Sequence, residues 1–257
     1  MTLGEESYTR HKNRVKRART LVEIAFVIAA LYLLYTLFFH GKTYQSYTES
    51  QVSTTIDTGF IALSYFGVDR IGDTSTLIGE KQLREHLKTL KDNGYVTITQ
   101  EDIEKYYEKG QPLPEKALYL MFEDGRRDTA IFADDIIEDL NFKGVMMTYP
   151  EKFDHEDPKF LRPSDLKDMT DSTFWELGTN GYRLEYINVY DRYHNFIGEI
   201  DPLTYAMMRP YLGRDYNHYL MDYIRDKDRI PVETLDHMKR RIGYDYSRVA
   251  ELYQEHL

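Results

Sequence analysis

From residue 60 onward, short apolar segments alternate with longer amphipathic ones, and this order limits the possible folds more than any other feature. EKQLREHLKTLKDNG (80–94) is typical of the amphipathic segments, with leucines on one helical face and a stop at Asn-Gly. The apolar segments have the length of buried strands: FIALSYFGV (60–68), ALYLMF (117–122), GVMMTYP (144–150) and FWELGTNGY (174–182). Strand–helix alternation predicts an α/β fold with a parallel sheet, covered on both sides or closed into a barrel.

The last quarter of the chain, from Asp201, has a mostly helical pattern. DYNHYLMDYIRDKDR (215–229) alternates aromatic and charged residues at helical spacing. We therefore expect this part to form helices that pack against the barrel.

The N-terminal segment combines a basic stretch with a long apolar one. RHKNRVKRAR (10–19) holds six Lys or Arg residues, and LVEIAFVIAALYLLYTLFF (21–39) has Glu23 as its one charge. Nineteen helical residues span roughly 28 Å, enough for the hydrocarbon core of a bilayer. The sequence predicts an uncleaved transmembrane helix with its basic flank in the cytoplasm. The expected domains are a cytoplasmic basic segment (1–20), a transmembrane anchor (21–39), a linker (40–59) and a barrel domain (60–257).

Charge and composition exclude several classes of function. Residues 41–257 carry 27 basic and 40 acidic side chains, a net charge of −13. Such an acidic domain lacks the basic footprint of a nucleic-acid-binding protein. The chain has no cysteine, which excludes disulfides, thiol catalysis and cysteine-ligated zinc.

The apolar segment at 117–122 ends in Glu123-Asp124-Gly125. In parallel α/β folds, functional groups gather at the carboxyl ends of strands, and these two acids lie at such an end. The loops EKFDHEDPK (151–159) and GTNGYR (178–183) follow the next two predicted strands and belong to the same edge. The alternative is an acidic pair that begins a turn and caps the following helix.

IALSYFGV, LYLMFEDG and LRPSDLKDMTDSTFWELGTNGY occur in an order and spacing that resemble the polysaccharide deacetylase (NodB-homology) family, carbohydrate esterase family four. The resemblance covers roughly residues 60–185. It implies a distorted (β/α) barrel that removes acetyl groups from glycans. It also implies a divalent metal, usually zinc, held by one aspartate and two histidines, with a neighbouring carboxylate as the base.

Matched to the family motifs, Glu123 occupies the position of the base and Asp124 that of the metal-binding aspartate. Asn180 and Leu184 occupy the positions of the two metal-binding histidines, and Phe66 replaces the histidine of the first strand motif. Leucine is no zinc ligand and an amide is a poor one. We therefore expect a degenerate site without a cofactor.

Three alternatives stay open at this point. An active deacetylase would hold zinc or another divalent metal with Asp124, Asn180 and a recruited histidine, either His155 or His194. A metal-free glycosidase would pair Glu176 with one of the two acids. A glycan-binding protein would use side chains that border the cleft: Tyr65, Phe66, Trp175, Asn180 and Tyr182.

The expected function is that of a membrane-anchored, deacetylase-like protein outside the cytoplasm. It would act in the biosynthesis of a cell-surface polysaccharide or exopolysaccharide, by binding the glycan or by acting as a scaffold. The expected partners are that polysaccharide and a membrane synthase or export complex.

Overall fold

A computed structural model of the protein describes residues 3–39, 42–55, 59–72, 77–123, 125–154, 157–182, 185–214 and 217–257. The chain divides into two compact units, Met1–Thr43 and Tyr44–Leu257.

The first unit contains one long helix, α1 (Leu3–Phe39). Its large apolar side chains between Leu21 and Leu34 are exposed. Within the residues that the structure describes, no helix combines the length and the hydrophobicity needed to cross a membrane. This finding does not support the transmembrane anchor predicted for residues 21–39.

The second unit begins earlier than predicted. Tyr44 packs edge-on against Phe174 with ring centroids 6.0 Å apart, and its hydroxyl donates to the carbonyl of Thr97 at 3.0 Å. The Tyr47 hydroxyl donates to the Asp102 carboxylate at 2.9 Å. Much of the segment predicted as a linker (40–59) therefore belongs to the globular unit.

The described part of the second unit consists of short strands and helices. Its strands are β1 (Ile61–Tyr65), β2 (Val68–Asp69), β3 (Ile78–Gly79), β4 (Val96–Thr97), β5 (Ala117–Phe122), β6 (Gly144–Thr148), β7 (Trp175–Thr179), β8 (Tyr186–Tyr190), β9 (Phe196–Ile200) and β10 (Asn217–His218). Its helices are α2 (Glu80–Asp92), α3 (Gln100–Lys109), α4 (Arg127–Leu140), α5 (Pro163–Asp171), α6 (Pro202–Met208) and α7 (Leu235–His256).

The main sheet is parallel, in the order β1-β5-β6-β7, with β4 beside the start of β5. Among the described strands no pairing joins β7 to β1, whereas the family resemblance implies a distorted (β/α) barrel. An antiparallel sheet, β10-β8-β9, and a parallel pair, β2-β3, complete the strand pairing. The predicted α/β class and parallel sheet are confirmed.

One face of the main sheet carries the core. In α4, Ala133, Ile136 and Ile137 are buried, at the spacing of one helical face. They pack with the fully buried Phe122 of β5 and with residues of α2 and α5. Since successive strand residues point to opposite faces, Glu123 projects from the other face of the sheet.

The region from Asp201 is only partly helical, in α6 and α7. In the segment predicted as a helix at 215–229, the described residues 217–229 instead contain β10 and turns. Asn188, at the centre of β8, fixes this segment: its side-chain amide donates to the carbonyl of Tyr223 and its Oδ1 accepts the N–H of Arg225, both at 2.8 Å. These long-range bonds satisfy backbone groups that a helix would otherwise pair locally.

Candidate active site

Glu123 lies at the carboxyl edge of the main sheet, directly after β5. Its backbone N–H donates to the carbonyl of Tyr65 at 2.9 Å, which extends the β1–β5 pairing by one residue. The Ser64 hydroxyl, from the end of β1, donates to Glu123 Oε1. The two strand ends thus hold the carboxylate in place. Asp124 lies outside the described residues.

Gly125 allows the β5 turn to approach the end of β6. Its φ is +57°, and a Cβ at this position would lie 2.9 Å from Thr148 Cγ2. Its carbonyl accepts the N–H of Leu161 at 2.8 Å, which places the chain for α5. The backbone conformation and the close contact with Thr148 therefore explain why a glycine follows the acidic pair.

Replacing Gly125 with alanine is expected to lower the free energy of unfolding by about 1–3 kcal/mol, because the backbone conformation is strained and Thr148 must move. Urea denaturation measures the change. Gly243 is the matched control, since nothing lies within 4 Å of a Cβ built there and it is inside α7. Gly243→Ala should stabilise by about 0.5–1 kcal/mol. Equal changes in both variants would contradict the explanation.

Asn180 follows β7 at the same edge. Its backbone N–H donates to the carbonyl of Thr148 at 2.7 Å. Its side-chain Nδ2 is buried and has no hydrogen-bond partner within the part of the chain that the structure describes. A buried amide donor without a partner carries a desolvation cost, which a ligand acceptor would relieve.

The turn that carries Asn180 is closely fixed. Gly181 has a φ of +100° and donates to Thr179 Oγ1 at 2.9 Å. The N–H of Tyr182 donates to Asp245 Oδ1 of α7 at 2.7 Å. These contacts fix the backbone on both sides of the Asn180 side chain. Leu184, at the position of the family's second histidine, lies outside the described residues.

Among the described histidines, His218 lies at this edge. Its strand, β10, pairs with the start of β8, where His218 lies opposite Tyr186 with ring centroids 4.7 Å apart. Burial lowers the pKa of His218, and the negative charge of Glu123 acts in the opposite direction. The imidazole is therefore mainly neutral at pH 7 and lies within electrostatic reach of Glu123.

A pocket with a volume of about 260 Å³ opens between the Asn180 turn and β10. Met221 and Tyr246 form exposed parts of its wall, with 73% and 52% of their surfaces accessible. The pocket is lined by Thr179, Asn180, Glu185, His218, Tyr219, Leu220, Met221 and Tyr246. It thus combines polar groups with apolar and aromatic surface, as sugar-binding pockets do.

Two residues predicted for the site lie elsewhere. Trp175 is only 4% exposed, on the helix-covered face of the sheet, where it contacts Phe122 and donates from Nε1 to Asp134 at 2.7 Å. It therefore cannot stack on a sugar. His194 is exposed in the turn at the far end of β8, with a φ of +65°, and is not in the site. His155 lies outside the described residues.

The other predicted residues lie near the edge or have structural partners. Tyr65 is half-buried and stacks on Phe122 at 5.9 Å, and burial raises the pKa of Tyr65 to about 12. Phe66 and Tyr182 are partly exposed next to β1 and Asn180. Glu176 accepts the N–H of Gln100 at 3.0 Å, at the start of α3. This hydrogen bond gives Glu176 a structural role at the start of α3. A catalytic carboxylate of a glycosidase would not need such a bond.

The side chains that the structure describes do not fit the zinc site that the family resemblance implies. Among the described residues, no group of three or more His, Asp or Glu side chains is placed to hold a metal. Asn180 presents an N–H donor in place of one imidazole, and Leu184 has no donor atom in place of the other.

Comparison with known proteins identifies the fold. No protein-family model matches the chain. The de-N-acetylase of Aggregatibacter actinomycetemcomitans superposes with a TM-score of 0.57 at 18% identity, over 77% of this chain and 75% of that one. IcaB from Ammonifex degensii gives 0.53 at 16% identity (77% and 70% of the two chains), and the BpsB deacetylase domain from Bordetella bronchiseptica gives 0.51 at 15% (77% and 75%). The fold is that of the polysaccharide deacetylases.

A curated protein matches part of the sequence. The poly-beta-1,6-N-acetyl-D-glucosamine N-deacetylase of Escherichia coli strain K12 is 38% identical over 69 residues. The match covers 26% of this chain and 10% of that enzyme, and the protein of strain O157:H7 gives the same values. The matched region thus spans about a tenth of the length of the curated relatives.

Proposed function

We propose that this protein binds N-acetylated cell-surface polysaccharide at the edge of the sheet that holds Glu123, Asn180 and His218. It does so without removing acetyl groups, as a deacetylase-like component of exopolysaccharide biosynthesis. The fold supports this proposal, as does the partial match to an enzyme named for poly-beta-1,6-N-acetyl-D-glucosamine.

The observation that carries the proposal is the buried Nδ2 of Asn180, which has no hydrogen-bond partner among the described residues. The resemblance assigns this position to a metal-binding histidine, whose metal would polarise the acetyl carbonyl. An amide N–H instead donates a hydrogen bond to a carbonyl oxygen. Asn180 would thus bind the acetamido oxygen directly, beside the neutral His218 and the exposed ring of Tyr246.

Binding of the acetamido group does not by itself cause hydrolysis. Attack of water on an amide needs strong stabilisation of the oxyanion, from a metal or from several preorganised donors. Asn180 supplies one neutral donor to this pocket. The carboxylate of Glu123 does not line the pocket and accepts a hydrogen bond from Ser64. We therefore assign recognition to the pocket and no turnover.

An active deacetylase is the second proposal, and the placement of Glu123 and His218 favours it. A carboxylate and a neutral imidazole within electrostatic reach of each other can serve as a general base and a proton carrier. Zinc or another divalent metal would then require ligands outside the family pattern, such as Asp124 and His155.

Isothermal titration with β-1,6-linked N-acetylglucosamine oligosaccharides tests recognition, with the de-N-acetylated oligosaccharides of equal length as the second ligand. We expect binding of the acetylated form and about tenfold weaker binding to Asn180→Ala, the loss of one buried hydrogen bond. Asn195→Ala changes an exposed asparagine in the β8–β9 turn and should bind like the wild type. Equal affinity for both oligosaccharides would contradict acetamido recognition.

Acetate release from the same oligosaccharides, with and without added Zn²⁺, separates the two proposals. We expect none in either condition, and Glu123→Gln should keep its affinity for the acetylated ligand. Turnover that requires the metal and disappears in Glu123→Gln would establish the active enzyme instead.

We further propose that α1 holds the domain outside the cytoplasm, beside a polysaccharide synthase or export complex. The apolar run at 21–39 and its basic flank support this location. Membrane fractionation and protease accessibility in intact cells test it. Recovery of the full chain in the cytoplasmic fraction would overturn this placement.

A further inference from the structure

Helix α7 presents one face to the pocket region. Arg241, Asp245, Val249 and Leu252 follow one another at intervals of four, four and three residues, so they share one side of the helix. Asp245, Val249 and Leu252 are at most 7% exposed, and the Arg241 side chain is also 7% exposed. Two charged side chains on the buried face of a helix require specific partners.

Arg241 fixes the wall of the pocket that contains His218. Its guanidinium donates to the backbone carbonyl of Asp222 at 2.9 Å and to that of Tyr219, whose ring lies 4.3 Å below it. It also donates twice to the Glu233 carboxylate, at 2.7 and 3.1 Å. Glu233 in turn accepts the N–H of Ile224 at 2.9 Å. This ion pair holds both ends of segment 219–224, which directly follows His218.

Asp245 fixes the opposite wall, one helical turn further along α7. Its Oδ1 accepts the N–H of Tyr182 and lies 2.8 Å from the position of a Cβ at Gly181. Leu220 Cδ1 lies 2.6 Å from the same position. The Asn180 turn and the His218 wall therefore meet at Gly181, where only a glycine leaves room for both.

We propose that Arg241 and Asp245 are positioning residues: together they set the distance between Asn180 and His218 across the pocket. Helix α7 thereby connects two walls of the pocket that come from different parts of the sequence. The inference rests on the proposed function only in treating this pocket as the glycan site.

Two conservative pairs of variants test the inference. Asp245→Ala removes the acceptor for Tyr182, whereas Asp245→Asn keeps an acceptor oxygen. Arg241→Lys keeps the charge but loses the fork that spans two carbonyls and a carboxylate. Arg240→Lys changes the exposed neighbour and is the control.

NMR of the ligand-free, isotope-labelled protein gives the first measurement, and titration with the acetylated oligosaccharide gives the second. We expect Asp245→Ala to shift the side-chain amide resonances of Asn180, and Arg241→Lys to shift the imidazole resonances and the titration midpoint of His218. Both variants should bind the acetylated oligosaccharide at least about tenfold more weakly than the wild type. Asp245→Asn and Arg240→Lys should resemble the wild type in both measurements.

The positioning role is overturned if Asp245→Ala, folded by circular dichroism, leaves the resonances of Asn180 unchanged. It is also overturned if Asp245→Asn shifts the Asn180 resonances and weakens oligosaccharide binding as much as Asp245→Ala does. If Arg241→Lys fails to fold, the Asp245 pair decides the outcome. A wild-type protein that binds no oligosaccharide contradicts the proposed function, whereas the ligand-free resonances still decide the positioning role.

Discussion

Replacing Glu233 with alanine should lower the free energy of unfolding by about 3–5 kcal/mol, because it leaves a buried guanidinium without its counter-charge. The side chains of Glu233 and Arg241 are 3% and 7% exposed, and they form two hydrogen bonds. The variant also leaves the N–H of Ile224 without its acceptor. Urea denaturation at pH 7 measures the loss.

Glu251→Ala is the control for this prediction. Its carboxylate is 64% exposed and pairs with Arg248 at 2.9 Å on the surface of α7. Exposed pairs of this kind contribute less than about 1 kcal/mol. A similarly small change in Glu233→Ala would show that the buried pair does not stabilise the fold.

The stabilisation by Glu233 should also depend on pH. The hydrogen bonds from Arg241 lower the pKa of Glu233 below its ordinary value, since they favour the ionised form. A depressed pKa in the folded state contributes stability that is complete above the unfolded value, about 4.3, and is lost as the pH falls through the folded value. The difference between wild type and Glu233→Ala should therefore shrink on acidification below about pH 4, in denaturation curves recorded across this range.

Phe122→Ala should lower the free energy of unfolding by about 3–5 kcal/mol, the usual loss when a fully buried aromatic ring is deleted. Phe122 is fully buried and contacts the rings of Tyr65 and Trp175, with centroids 5.9 and 5.4 Å away. A Cβ on Gly144 would lie 3.1 Å from the Phe122 ring, so the neighbouring strand is already as close as it can be. Little collapse into the cavity is therefore available.

Thermal and urea denaturation measure the loss in Phe122→Ala, with Tyr107→Ala as the control. Tyr107 is 73% exposed on α3, and its truncation should change the free energy of unfolding by less than about 1 kcal/mol. If the two variants lose similar amounts, the ring of Phe122 is not central to the core.

The sequence predicts the strands of the main sheet well, because strand formation depends on local pattern. The apolar runs at 117–122 and 144–148 form β5 and β6 as expected, and Glu123 follows β5 at the carboxyl edge. The segment at 60–68 forms β1 and β2 with a break after Tyr65, which uniform hydrophobicity did not indicate. The resemblance to the family motifs predicts the polysaccharide deacetylase fold, and the solved structures confirm that fold.

Other features depend on contacts between distant parts of the chain and leave no local signal. His218 reaches the site because β10 pairs with β8, some thirty residues earlier, while the spacing around it predicted a helix. The Arg241–Glu233 pair and the bond from Tyr182 to Asp245 likewise join separate segments. Closure of a barrel is also a long-range property, and strand–helix alternation allows an open sheet equally well.

The dependence of both pocket walls on α7 has a consequence for folding during synthesis. All the described strands precede this helix in the chain, so the hydrophobic core can condense while α7 is still being translated. Until the helix docks, the turn at 180–182 and the segment after His218 lack the hydrogen bonds that they make with Asp245 and Arg241 of α7. A nascent chain would therefore acquire a stable interior before α7 fixes the two walls of the pocket.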